Sequence, residues 1–335
     1  MKLSICIPTY NRANKLCKTL DSILNEMGYF PDVEIFISDN CSTDDTFSMV
    51  QKYQKYFHNI RYSLNAHNLG FNGNVICCFE KAIGEYISFI SDDDLVPPGT
   101  FPRILQEIRL RRPSIIYLNH HPFHENDPRT RLPDKHDSHD RLFNNGKDFF
   151  IYCGLGFLSS LTIRSDFAQE FITLAKKSIF SEPHLDISSR IALTKEGPFI
   201  FLGSISIWAR VPIPLENDYV TCHILKVDHL YQDLYAEGLM DKLSFRKHMR
   251  ISIRSLLLRN VLYNKCVGDY RVLQSNRTGI FELYREYIIF FLIVYPILIL
   301  PRFLIKGPYC IIRAMIQRAR IIRLNQARHS RIAKN

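Results

Sequence analysis

The sequence contains no Cys-x-x-Cys pair. Its nine cysteines, Cys6, Cys17, Cys41, Cys77, Cys78, Cys153, Cys222, Cys266 and Cys310, are odd in number and scattered. Zinc spacing is therefore absent and a disulfide framework is disfavoured, which predicts a reducing compartment. A leader pattern is missing too: MKLSICIPTY has one early lysine and too few apolar residues before Pro8 for a signal peptide. No run reaches the roughly 20 apolar residues that a spanning helix needs. The nearest, Tyr287–Leu300 (YIIFFLIVYPILIL), is interrupted by Pro296 and closed by Pro301. There is no internal repeat, and the one tryptophan is Trp208.

Acidic residues are scarce in the last third. From Arg246 to Asn335 there are 18 Lys and Arg against Asp269, Glu282 and Glu286, and from Arg302 onwards nine bases and no acid. With +10 for the whole chain, the first 245 residues sum to −5. A mildly acidic globular part with a basic tail suits an anionic surface. Ile311, Ile312, Met315, Ile316, Ala319, Ile322 and Ala327 make the tail intermittently amphipathic, which favours an anionic membrane leaflet. No aromatic-interleaved basic motif points to nucleic acid. The apolar segment 287–305 reads as re-entrant or interfacial, with a buried core helix as the alternative.

What is present is an alternation. Lys2–Pro8, Val33–Ser38, Asn59–Leu64, Tyr86–Ile90 and Ser114–Asn119 read as strands. Helices are expected over Ala13–Glu26, Ser42–Tyr56 (Ser42 as cap), Asn72–Ala82 and from Pro97 to about Arg111. Such a rhythm predicts right-handed βαβ crossovers and a largely parallel sheet. Further on, Phe157–Ile163 and Phe199–Ala209 read as strands, with helices near Asp166–Lys177 and Leu185–Lys195. His120–Asp140 has five histidines and several prolines; a long loop is expected, with a zinc site as the less favoured alternative.

The polar clusters fall at strand ends, where ligands of parallel sheets bind. IPTYNR offers a hydroxyl, a ring and a guanidinium at Thr9, Tyr10 and Arg12, or else a helix-capping turn at Asn11. Asp39 closes the second strand. Asn68 and Asn72 stand about Gly70, where close backbone approach to a ligand and a simple tight turn are both open readings. Asp92, Asp93 and Asp94 follow the fourth strand directly. Clustered carboxylates there suit a hard divalent cation that neutralises a diphosphate; the alternative is a solvated acidic turn.

KLSICIPTYNRANKLCKTLDSIL, VEIFISDNCSTDDT, NLGFNGNV and GEYISFISDDDLVPPG, in this order, resemble the family 2 glycosyltransferases with the GT-A fold, nearest to the abequosyltransferase-like enzymes of bacterial surface polysaccharide (O-antigen or capsule) synthesis. The resemblance is strong over 1–115 and weak over 116–210. It implies an α/β, Rossmann-like, mostly parallel sheet flanked by helices, with a C-terminal helical, membrane-associating extension. The domains implied are 1–215, divided into a nucleotide-binding half (1–115) and an acceptor half (116–215), and a basic helical region at 216–335. It further implies that Pro8, Thr9, Tyr10, Arg12, Asp39, Asn68, Asn72 and Asp92 bind the donor nucleotide. Mg2+ or Mn2+ is implied at Asp93, the principal ligand, and Asp94, with Asp92 assisting. Ser91 and Asn40 stand where the family often has Asp. The catalytic base is expected at Asp186, ahead of Glu182 and His184, with a helix-start acid as the alternative reading of Asp186. Phe157 and Ser159 line an acceptor pocket or simply a core strand.

The family's processive members carry Gln-x-x-Arg-Trp after several spans, and this chain has neither. The function implied is inverting transfer of a single sugar from a nucleotide-sugar donor to a lipid-linked oligosaccharide, at the cytoplasmic face of the plasma membrane, with a homodimer left open. The alternatives are a non-catalytic subunit with the same fold, and a nucleotidyltransferase. The latter is disfavoured because the first glycine is Gly28, too late for a glycine-rich loop after the first strand.

Overall fold

A computed structural model describes residues 1–25, 31–123, 138–178, 182–210, 217–266 and 270–311. The chain forms two compact units, Met1–Leu215 and Glu216–Asn335. The first runs β1 (Leu3–Thr9), α1 (Ala13–Leu24), β2 (Val33–Asp39), α2 (Thr46–Gln54), β3 (Ile60–Leu64), α3 (Gly70–Lys81), β4 (Tyr86–Phe89), α4 (Thr100–Arg111) and β5 (Ile115–Phe123). It continues with β6 (Arg141–Phe143), α5 (Gly146–Cys153), a 3-10 turn at Leu158–Ser160, β7 (Leu161–Arg164), α6 (Ser165–Lys177), α7 (Pro183–Thr194) and β8 (Phe199–Arg210).

The eight strands make one sheet in the order β3-β2-β1-β4-β7-β5-β8-β6. The expected largely parallel α/β architecture is present: β3, β2, β1 and β4 are mutually parallel, as are β5 and β8. Only β7 and β6 run antiparallel to their neighbours. Every residue of β1 and β2 is buried, because helices cover both faces of a parallel sheet and leave no solvent side. Leu3, Ile5, Ile7, Leu16, Leu20, Val33, Ile35 and Ile37 belong to one core that continues to Ile104 and Leu202. The register pairs Thr9 with Asp39 and Cys6 with Phe89. Adjacent strands thus end near one level and deliver their following loops to one edge.

Several boundaries differ from expectation for local reasons. The helix expected from Ser42 starts at Thr46, because Asp44 takes the capping role: its Oδ1 accepts Thr46 N at 3.1 Å. The helix expected from Asn72 starts at Gly70, whose φ of +69° lets the chain turn into it at no Cβ cost. Phe199–Arg210 is one strand, matched to β5 across a register shift after Leu118. The zinc reading of His120–Asp140 falls largely on 124–137, outside the described residues. His120 and His121 lie on β5, and the His120 ring lies tilted against that of Phe157 with centroids 4.4 Å apart. β6 and α5 had no forecast; Asn145 caps α5 by accepting Lys147 N and Asp148 N.

The second unit contains α8 (Asn217–Ala236), α9 (Lys242–Ile251), a π-helical stretch at Ser252–Leu257, α10 (Leu258–Cys266), α11 (Tyr270–Tyr284), a second π stretch at Phe290–Val294 and α12 (Tyr295–Ile299). Its buried hub is Asp228 on α8. The carboxylate accepts from the hydroxyls of Ser252 and Tyr284 and pairs with His248 Nε2 at 2.6 Å. Burial, followed by this carboxylate's charge, pushes the Tyr284 hydroxyl well above its ordinary pKa. One buried acid thereby ties four helical segments together. Asp228→Ala, which leaves two buried hydroxyls and a half-buried imidazole without their acceptor, is expected to cost about 3 kcal/mol, read as a lower midpoint of thermal unfolding, with Asp228→Asn losing less.

Candidate active site

The site begins with a clasp between two loops. After β1, Asn11 adopts φ +52°, a left-handed conformation that asparagine tolerates better than most residues. Its backbone N–H donates to Ser42 Oγ at 2.8 Å and its Oδ1 accepts Thr43 N at 2.7 Å. Asp44 Oδ2 accepts Ala13 N at 3.0 Å, so the first turn of α1 is capped from the loop before α2. Burial raises the Asp44 pKa, but hydrogen bonds from Thr46 and Ala13 outweigh it and hold the carboxyl below the ordinary range. The cap expected at Asn11 or Ser42 is thus a cross-loop exchange.

Of the three aspartates after β4, the first two face one guanidinium and the third turns away from it. Asp92 accepts Thr9 Oγ1 at 2.8 Å and Arg12 Nη1 at 3.0 Å. Asp93 shares that Arg12 nitrogen, also at 3.0 Å, and has Lys15 Nζ at 3.9 Å. Asp94 turns inward: Oδ1 accepts Arg210 N at 2.9 Å and Oδ2 accepts Ser159 Oγ at 2.5 Å. It is 2% exposed. Burial, followed by the Asp93 charge, pushes the Asp94 carboxyl up to about 7. Burial lifts Asp92 as well, against the pull of Arg12. The backbone is equally held, with Thr19 Oγ1 donating to Asp94 O at 2.8 Å, Val96 N donating to Ser22 Oγ at 3.1 Å, and Leu95 bridging Trp208.

Asp39 is fully buried. Its Oδ1 accepts Ser42 N at 2.8 Å and its Oδ2 accepts the Tyr62 hydroxyl. Burial, then the bond to Asp39, raises the Tyr62 pKa. Asn40 Nδ2 donates to Asn68 Oδ1 at 2.7 Å and to Gly70 O at 3.1 Å, while its Oδ1 accepts Leu69 N at 2.8 Å. An uncharged amide can donate and accept at once, which an aspartate in its place could not do. Asn68 is exposed and also accepts Gly70 N at 2.8 Å; Asn72 lies in the first turn of α3. Pro8 is buried, whereas Tyr10 is 42% exposed beside the edge.

Asp186 lies in the first turn of α7. It is 1% exposed and paired with Arg190 Nε at 2.6 Å, one helical turn on. Glu182 precedes the same helix at its N-cap position and lies 3.7 Å from His184, whose ring meets Phe71 of α3 edge-on. A cavity of about 320 Å³ opens at the opposite end of the sheet, lined by Gly84, Glu85, Arg112, Arg164 and Asp166, apart from these clusters.

The structure therefore brings Thr9, Arg12, Asp39, Asn68, Asp92 and Asp93 to one edge. Lys15, Tyr62 and Arg210 join them without a prior assignment, as does Asn40, noted in the sequence only as standing where the family often has Asp. A charged or polar residue at the end of an apolar run, as Arg210 is after SISIWA, was the available signal. Asp92 and Asp93 turn adjacent oxygens to one guanidinium, a donor set that fits a hard divalent cation. Asp94 fits less well, since both its oxygens are bonded within the fold. Among the described residues no group of three or more His, Cys, Asp or Glu side chains converges, so such a cation would take its other oxygens from phosphate and water.

Residues 4–164 match the family described as Glycosyl transferase family 2. The chain is 41% identical, over 32% of its length and 34% of the relative's, to the GalNAc(5)-diNAcBac-PP-undecaprenol beta-1,3-glucosyltransferase of Campylobacter jejuni. It is 41% identical, over 28% of each chain, to abequosyltransferase RfbV of Salmonella typhimurium. It thus spans about a third of the curated relatives it matches. Among solved structures, S. aureus TarS 1-349 superposes with TM-score 0.54 at 18% identity, over 85% of this chain and 89% of that one. A mannosyltransferase from Pyrobaculum calidifontis, in complex with GDP-Man and Mn2+, gives 0.57 at 12% identity, over 89% and 85%. These neighbours establish the GT-A fold. Tyr62→Phe, which removes a donor from the buried Asp39 carboxylate, is expected to cost about 1–3 kcal/mol, measured by thermal unfolding.

Proposed function

We propose, from the match of residues 4–164 to Glycosyl transferase family 2, that the protein moves a single sugar from a nucleotide-sugar donor to a lipid-linked saccharide, inverting the anomeric carbon, in bacterial surface polysaccharide synthesis. The observation that carries the reading is the 3.0 Å bridge of Arg12 to Asp92 and Asp93, with Thr9 on the same Asp92. Cation and carboxylates meet where the strand ends receive a nucleotide. The Campylobacter relative's undecaprenol-linked glycan supports a lipid-linked acceptor, and the Mn2+ and GDP-Man in the mannosyltransferase support a metal and a nucleotide-sugar. The protein would act at the cytoplasmic face of the plasma membrane.

In this reading Pro8, Thr9 and Tyr10 lie against the nucleotide, Asp39 beside its ribose or base, and Asn68 and Asn72 across the edge. Arg12 and Lys15 offer positive charge to the diphosphate. Asp93, the least buried of the three aspartates, is the principal metal ligand, with Asp92 beside it. Asp94 is assigned to holding the turn. Asp93 and Asp92 would hold Mg2+ or Mn2+, which would supply Lewis-acid neutralisation of the leaving diphosphate. The acceptor hydroxyl loses its proton to a carboxylate of the Glu182–Asp186 turn as it attacks. Asp186 remains the assigned base, held in one orientation by Arg190.

Titration calorimetry with Mn2+ and a nucleoside diphosphate tests the site: Asp93→Ala is expected to weaken binding about tenfold or more. Metal-independent binding that none of the three Asp→Ala changes affects would sink the metal assignment. For the base, Asp186→Asn should lower kcat about 10²–10⁴-fold with donor binding intact; a loss confined to Glu182→Gln moves the role to Glu182. The burial and pairing of Asp186 also suit a second reading, a non-catalytic subunit of the same fold. Absence of nucleoside diphosphate release with every acceptor tried would favour it.

A further inference from the structure

The second unit carries a broken apolar pair, Phe290–Ile299 and Arg302–Ile311, which turns through 111°. The break has a covalent cause. Pro301 has no N–H and drives Leu300 to an extended conformation (φ −60°, ψ 144°). Helix ends of this kind leave carbonyls without partners, and these are costly to expose to hydrocarbon. Here two of them are answered from within the fold: Lys265 Nζ, on a buried side chain, donates to Ile297 O at 2.5 Å and Leu298 O at 2.8 Å. Phe290, Val294 and Leu298 pack inward, while Ile288, Leu292, Ile299, Phe303, Leu304 and Ile311 are each more than half exposed.

The geometry points to a wedge: the two arms enter one leaflet of an anionic phospholipid bilayer and return to the side they came from. Each arm of ten residues is about 15 Å long, roughly half of the ~30 Å hydrocarbon core. Each arm alone therefore reaches across one leaflet and no further. Charge chooses the surface: Arg302 and Lys306 are exposed beside the apolar residues, and no acid occurs from Tyr287 to the end of the sequence. Among the described residues no single helix is long and apolar enough to cross a membrane. The inference sharpens the membrane side of the proposed function and does not depend on the transfer chemistry.

The full-length protein would be floated with vesicles of phosphatidylcholine alone or mixed with phosphatidylglycerol. It should float with the mixed vesicles, and a combined Leu292→Ser, Phe303→Ser, Leu304→Ser variant, changed only at exposed positions, should lose about tenfold or more of the bound fraction. Arg302→Gln with Lys306→Gln should reduce binding to mixed vesicles about fivefold or more and abolish the preference over phosphatidylcholine. A membrane-impermeant maleimide added outside sealed vesicles should label both Cys310 and a cysteine introduced by Glu286→Cys, read by peptide mass spectrometry. Protection of one of them means a span and overturns the wedge. Unchanged flotation of the triple variant overturns it too, as does a doubled mass without flotation, which would give the apolar arms to a second copy. Nucleoside diphosphate binding, measured without lipid, reports on the transfer reading separately.

Discussion

Three consecutive carboxylates are tolerable only if each finds a countercharge or donors of its own, and the first unit is arranged around that constraint. Asp92 and Asp93 share Arg12 from the loop after β1, with Thr9 of β1 on Asp92 and Lys15 of α1 near Asp93, while Asp94 is answered from the segment before β7 and from the end of β8. Unshared, these charges would repel within a few ångströms in a poorly solvated place. Divided, they become ties among four neighbouring parts of the sheet edge. The inward turn of Asp94 is what lets the next residue, Leu95, add a backbone bridge to Trp208.

That arrangement leaves the outer pair with a distinct character. Arg12 is held by two carboxylates but remains nearly half exposed, so it is both a structural counter-ion and a group that can turn toward a phosphate. The loops on either side are rigid for an independent reason, since Asn11, Ser42, Thr43 and Asp44 hold one another and both following helices. Asn40 extends the same support to the turn before α3. Groups meant to receive a charged ligand are thereby positioned before it arrives, which is how such sites limit reorganisation.

The second unit meets a comparable demand with different means. Its buried acid, Asp228, is surrounded by hydroxyls and a histidine, and its buried base, Lys265, by carbonyls. The acid joins side-chain donors from separate helices, and the base takes on carbonyls that a helix end would otherwise leave unsatisfied. In the apolar break this matters most, because Pro301 forces an end that Lys265 then completes.

Much of the first unit was legible in the sequence. Apolar runs of five to seven residues alternating with helical spacing are enough to specify a parallel sheet, because only buried strands lack a polar face. Strand-end placement of Thr9, Asp39 and Asp92 followed from the same pattern, and the resemblance of those segments to family 2 agrees with the match over residues 4–164. Local chemistry foretold the break at Pro301 as well. What the tertiary structure alone decided is pairing over distance. Asp94 looked equivalent to its neighbours until Ser159 and Arg210, 65 and 116 residues away, took both its oxygens. For Asp186, read as the base or else as a helix-start acid, nothing in the sequence signalled the packing that buries it against Arg190. A sequence states which groups carry charge and how the backbone near them turns; which groups then meet depends on how distant segments close together, and that is written only in three dimensions.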